Sequence, residues 1–110
     1  VLNGISIIAE KLVDDVSPDD LRKIAVDLKV KQPESVISLV SVSDGKAVLV
    51  VAVSEGAKAK GVKAGALVKI GSTILGGGGG GKDDFAQGGG TNLSQIATAL
   101  SAISDAVARG

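Results

Sequence analysis

Apolar residues follow two different spacings along the chain, and the changes of spacing divide it into elements. ISIIAEKL (Ile5–Leu12) is a short apolar run consistent with a buried strand. SPDDLRKIAVDLKVK then places Leu21, Ile24, Ala25 and Leu28 on one helical stripe, at i, i+3, i+4 and i+7. Ser17 is a good N-cap for that helix, Pro18 fits its first position, and Asp19 and Asp20 complement the positive end of its dipole. Pro33 marks the stop. SVISLVSV and AVLVVAV flank SDGK, where Asp44-Gly45 signals a two-residue hairpin turn. Val48 to Val53 is almost continuously apolar, as expected of an interior strand covered on both faces.

Beyond the hairpin the pattern loosens and then recovers. In GAKAKGVKAGALVKIGSTIL, the residues Val62, Ala66, Leu67, Ile70 and Ile74 approximate helical spacing, with Lys63 and Lys69 off the stripe. Gly61, Gly65 and Gly71 weaken that helix and mark places for close packing on a sheet. After a glycine-rich loop at 76–90, Thr91 or Asn92 can cap a final helix whose stripe is Leu93, Ile96, Ala97, Leu100, Ile103 and Val107. The order strand, helix, hairpin, helix, glycine loop, helix predicts an α/β (α+β) domain with a small mixed or mainly antiparallel sheet and flanking helices.

A chain of 110 residues fits one domain, 1–110, with a modest core. Phe85 is its single aromatic, so that core is aliphatic. Cysteine and histidine are both absent. Thiolate metal sites, cysteine nucleophiles, disulfides and Ser-His-Asp arrangements are therefore excluded within the chain. No apolar run is long enough to span a bilayer as a helix, and a cytoplasmic location without membrane partners is expected. The chain opens at Val1 without Met and is expected to be an excised part of a longer polypeptide.

Net charge is zero, but it is unevenly spread. Residues 1–45 hold five Lys/Arg against eight Asp/Glu, whereas 46–82 hold six Lys against Glu55 alone. The basic excess therefore runs up to and into the glycine loop.

That loop, LGGGGGGKDDFAQGGGTN, admits three readings. Gly76 to Lys82 formally satisfies G-x-x-x-x-G-K, yet Asp83 stands where a phosphate loop needs a Ser or Thr hydroxyl for magnesium. Asp84 adds a second carboxylate that repels phosphate. A passive linker fits the composition, but such linkers are Ser-rich and do not carry a specific KDDFAQ insert. The third reading is a close-approach loop, mobile at its tip. In it Gly76, Gly77, Gly78, Gly79, Gly80, Gly81, Gly88, Gly89 and Gly90 present backbone directly to a phosphate, sugar or base. Lys58, Lys60, Lys63 and Lys82 would attract nucleic acid, and Phe85 and Gln87 lie within the insert. A solvated helix face explains the lysines equally well, and a lone aromatic can plug a core. The pairs Asp14-Asp15, Asp19-Asp20 and Asp83-Asp84 look like turn and helix-start residues rather than catalytic or metal-binding carboxylates.

GGGGGGKDDFAQGGG, preceded by the basic KAKGVKAGALVK and followed by a helix, resembles the DHHA1 family in the form found as the C-terminal domain of alanyl-tRNA synthetases. The match is strongest over Val48–Val107, and AQGGG after GGGK is its most specific part. Phe85 stands where Met or a small apolar residue is commoner. DHH phosphoesterases also carry DHHA1 domains, usually with a glycine-and-histidine motif that this chain lacks.

The resemblance implies a DHHA1-like fold and a C-terminal tRNA-binding module that contacts the outer corner of tRNA(Ala), with no catalytic or metal residues of its own. It implies a parent synthetase that uses ATP, Mg and Zn elsewhere, and it leaves a homodimer open. The alternatives are an accessory nucleic-acid-binding domain of a DHH phosphoesterase, or an oligomerisation module using the Leu93–Val107 stripe.

Overall fold

The computed structural model describes residues 6–11, 16–32 and 34–109. The elements are β1 (Ser6–Lys11), α1 (Pro18–Lys31), β2 (Ser35–Ser43), β3 (Lys46–Val53), α2 (Glu55–Ala59), α3 (Ala64–Ile74), β4 (Gly79–Gly81), β5 (Phe85–Gly90), a 3-10 turn (Leu93–Gln95) and α4 (Ile96–Arg109). The strands form one sheet in the order β1-β2-β3-β5-β4. β1 runs parallel to β2, with α1 as the crossover, and every other pairing is antiparallel. The expected mixed, mainly antiparallel sheet is present. Ile5, Leu12 and Pro33, which bound the predicted first strand and helix, lie outside the described residues.

Each side chain of a strand points to the face opposite its neighbour's, and this divides the core in two. On one face Ile37, Leu39, Val50 and Ala52 pack against Leu21 and Ala25 of α1. On the other, Val36, Val40, Leu49, Val51 and Val53 meet Leu67 and Val68 of α3 and Ile96, Leu100 and Ile103 of α4. β3 is therefore covered on both sides, as its continuous apolar run requires. The hairpin before it turns on Asp44 and Gly45, both at positive φ (53° and 73°), the signature of a type I′ turn. The hydroxyl of Ser17 accepts from the Asp20 amide at 3.1 Å, so the start of α1 is capped as its sequence predicts. Ile24 is 38% exposed, because the buried stripe of α1 centres on Leu21 and Ala25.

Several features differ from the sequence reading. The basic segment forms two helices, broken at Gly61 (φ 92°), rather than one. The buried face of α3 runs through Ala64, Leu67, Val68, Gly71 and Ser72, leaving Ala66 and Ile70 outward. This face is chosen by fit: a Cβ on Gly71 would stand 2.6 Å from Leu49 Cδ2 and 2.8 Å from Ile103 Cδ1. Asn92 occupies the cap position of the 3-10 turn without capping it. Its side-chain amide donates instead to the Ile74 carbonyl at 3.4 Å. Of the predicted final stripe, Ile96, Leu100, Ile103 and Val107 are buried, whereas Leu93, in the 3-10 turn, is 37% exposed and Ala97 faces outward, because the core contact of α4 runs through Ala99 and Ile103 instead.

The largest difference is the glycine loop itself. It is a β-hairpin, and its second strand lies inside the sheet, paired to β3 from Ala47↔Gly90 to Ala52↔Phe85.

Candidate nucleic-acid interface

Most of the glycines serve this hairpin's internal packing. A Cβ on Gly77 would collide with the Gly89 carbonyl oxygen, one on Gly88 with the Ser72 hydroxyl, and one on Gly89 with the Ala47 carbonyl oxygen. A Cβ on Gly79 would stand 2.6 Å from Gly88 Cα. Apart from the Ser72 hydroxyl, backbone here packs on backbone at distances that any side chain would prevent. Gly78 and Gly80 differ, since a Cβ on either meets nothing within 4 Å.

The hairpin tip is tied to its surroundings at three successive carbonyls. Lys82 accepts from the Gly65 amide at 3.1 Å, Asp83 from the Ala64 amide at 2.8 Å, and Asp84 from the Val53 amide at 2.8 Å. The first turn of α3 thus donates two of its otherwise unpaired amides to the tip. These bonds leave the tip's backbone far less free than its glycine content suggests.

Because α1 packs over β2 and β3, it stops short of β5 and β4 and leaves their outer surface open. The result is a groove of about 530 Å³. Arg22, Val26 and Lys29 of α1 form one wall. Gly80, Gly81, Lys82, Asp84, Phe85, Ala86 and Gln87 form the floor and the other wall. The guanidinium of Arg22 lies over the Phe85 ring, 5.9 Å from its centroid. Phe85 is half-buried and packs on the α1-side core, so its ring serves both the core and the groove. Lys29 Nζ is 3.8 Å from Asp84 Oδ2. Arg22 and Lys82 make no ion pair among the described residues.

Of the residues singled out by sequence, Gly80, Gly81, Lys82, Phe85 and Gln87 come together here. Gly76, Gly77, Gly88, Gly89 and Gly90 do not line the groove; they sit where the hairpin meets β3 and the end of α3. Lys63 immediately precedes the Ala64 amide that holds the tip, so it flanks the hairpin from the α3 side. Lys58 pairs with Glu55 and Lys60 with Glu34, each at 3.3 Å, which offsets part of their charge. Arg22 and Lys29 are the cations that sequence reading missed. Both lie on the polar side of α1, at least 50 residues before the hairpin in sequence, and only the packing of α1 beside β5 brings them to it.

The glycine hairpin inside a five-stranded sheet, with α1 on one face and α3 and α4 on the other, is a fold that can be compared with known ones. The model of the DHHA1 domain matches residues 4–109. The chain belongs to the DHHA1 family.

This DHHA1 domain is 45% identical over 108 residues to the alanine–tRNA ligase of Arthrobacter sp. (strain FB24), covering 96% of the chain and 12% of that protein. It is 52% identical over 92 residues to the alanine–tRNA ligase of Renibacterium salmoninarum, covering 82% of the chain and 10% of that protein. The crystal structure of the C-Ala domain from Aquifex aeolicus alanyl-tRNA synthetase superposes with a TM-score of 0.88 at 27% identity, covering 98% of this chain and 96% of that one. The DHHA1 chain therefore spans a small part of its full-length relatives and nearly all of a domain solved by itself.

Proposed function

We propose that this chain is the tRNA-binding C-terminal domain of an alanine–tRNA ligase, and that RNA docks on the groove between α1 and the β4–β5 hairpin. The observation that carries the reading is the alignment to an alanine–tRNA ligase over 96% of the chain. The groove supplies fitting chemistry. Arg22, Lys29 and Lys82 can neutralise phosphates, and the Gly80–Gly81 floor admits a backbone at close range. One half-buried aromatic is too little for a single-strand stacking platform, so recognition goes by shape and backbone. Lys58, Lys60 and Lys63 extend the basic surface beside it.

The partners are tRNA(Ala) and the rest of the synthetase, in the cytoplasm. Alanylation with ATP and magnesium belongs to other parts of the parent, as does zinc-dependent editing. The donor set here does not fit zinc: the chain has no Cys or His, and among the described residues no group of three or more Asp or Glu could hold a metal. A homodimer of the parent stays part of this reading, with Ile96, Leu100, Ile103 and Val107 of α4 engaged in this domain's own core rather than in its contact.

Filter binding with tRNA(Ala) tests the reading. Arg22→Gln, Lys29→Gln and Lys82→Gln together are expected to weaken binding at least tenfold, and Lys58→Glu, Lys60→Glu and Lys63→Glu together to weaken it as well. Wild-type affinity in both triple variants would overturn the assignment.

A further inference from the structure

The groove contains one group that works against its own chemistry. Asp84 lies in the wall with Lys29, and its carboxylate faces the Lys29 ammonium at 3.8 Å, too long for a hydrogen bond and short enough for charge attraction. Lys29 is the more enclosed partner, with its side chain 20% exposed against 40% for Asp84. The Asp84 backbone is fixed by the bond from the Val53 amide, so the carboxylate can leave Lys29 only by turning about its own side-chain torsions.

A phosphate oxygen bound to Lys29 would sit at about 2.8 Å from the ammonium nitrogen. That places a second anion beside the Asp84 carboxylate, and one ammonium cannot serve both without like-charge repulsion. We propose that Asp84 is a displaceable counter-ion: the RNA phosphate backbone takes its place on Lys29, and the carboxylate turns out towards water. The proposal rests on the groove being the RNA site. Until RNA arrives, Asp84 keeps an enclosed lysine paired and lowers the net charge of the groove. An RNA that reaches Arg22, Lys29 and Lys82 together supplies enough attraction to drive the exchange, whereas an isolated phosphate on Lys29 gains little.

The test is a double-mutant cycle in tRNA(Ala) binding at fixed low salt, using the wild-type chain, Asp84→Asn, Lys29→Ala and the double variant. Asp84→Asn is expected to bind about three- to tenfold more tightly than wild type, and this gain is expected to shrink in the Lys29→Ala background, where only through-space repulsion of phosphate is left to relieve. Asp84→Ser, which also removes the carboxylate, guards against an effect peculiar to the amide, and thermal unfolding confirms that each variant is folded. Unchanged or weaker binding by both Asp84 variants would overturn the proposal. So would an equal gain with and without Lys29, which would make Asp84 a general surface charge. Failure of the groove reading looks different: Lys29→Ala alone would bind tRNA(Ala) as wild type does.

Discussion

Gly89 lies so close to Ala47 that a Cβ on the glycine would fall on the Ala47 carbonyl oxygen. This contact is between the backbones of β5 and β3, adjacent strands that each have a further strand on the other side, so neither can move aside without breaking the ladder. Gly89→Ala should therefore cost about 3 kcal/mol or more, at or above the upper end of ordinary overpacking. Gly78→Ala, with open space around its Cβ, should stay within about 0.5 kcal/mol of wild type. Urea unfolding of the two variants measures both values.

Gly80 separates stability from binding. Its Cβ would point into open space, yet its backbone lines the groove. Gly80→Val should leave the unfolding midpoint nearly unchanged while weakening tRNA(Ala) binding, because the added bulk stands where RNA backbone would approach. Parallel melting curves and binding isotherms on one preparation check this pair of outcomes.

Gly71 tests the packing of α3. A methyl group there would stand 2.6 Å from Leu49 Cδ2 and 2.8 Å from Ile103 Cδ1, where β3 and α4 converge on the helix. Alanine is the better helix former by about 1 kcal/mol, so propensity alone predicts stabilisation. Overpacking should win, and Gly71→Ala should lower stability by about 1–2 kcal/mol in equilibrium unfolding.

Much of this fold can be read from side-chain pattern. The Ser17 cap, the Asp44-Gly45 turn and the doubly covered β3 each carry a local signature, and each forms as read. β4 and half of β5 carry none. A strand is read from alternating side chains, and Gly79 to Gly81 and Gly88 to Gly90 have no side chains to alternate. They are specified by what their neighbours exclude, which appears only once the sheet is assembled. The break at Gly61 has a similar cause, because the lysines and alanines on either side of it suit one helix as well as two. In the candidate site, Lys82, Phe85 and Gln87 were visible because they sit in the hairpin sequence. Arg22 and Lys29 were not, since on α1 they have the spacing of any solvated helix face.

The salt dependence of tRNA(Ala) binding tests the central claim most directly. Each cation that neutralises a phosphate contributes about 0.7–0.9 to the slope of log K against log salt concentration. Replacing Arg22, Lys29 and Lys82 with Gln should make that slope shallower by about two to three while leaving the fold intact. Replacing Lys58 and Lys60, already paired with Glu55 and Glu34, should change it less. An unchanged slope in the Arg22, Lys29 and Lys82 variant, with folding retained, would contradict the placement of RNA in the groove between α1 and the glycine hairpin.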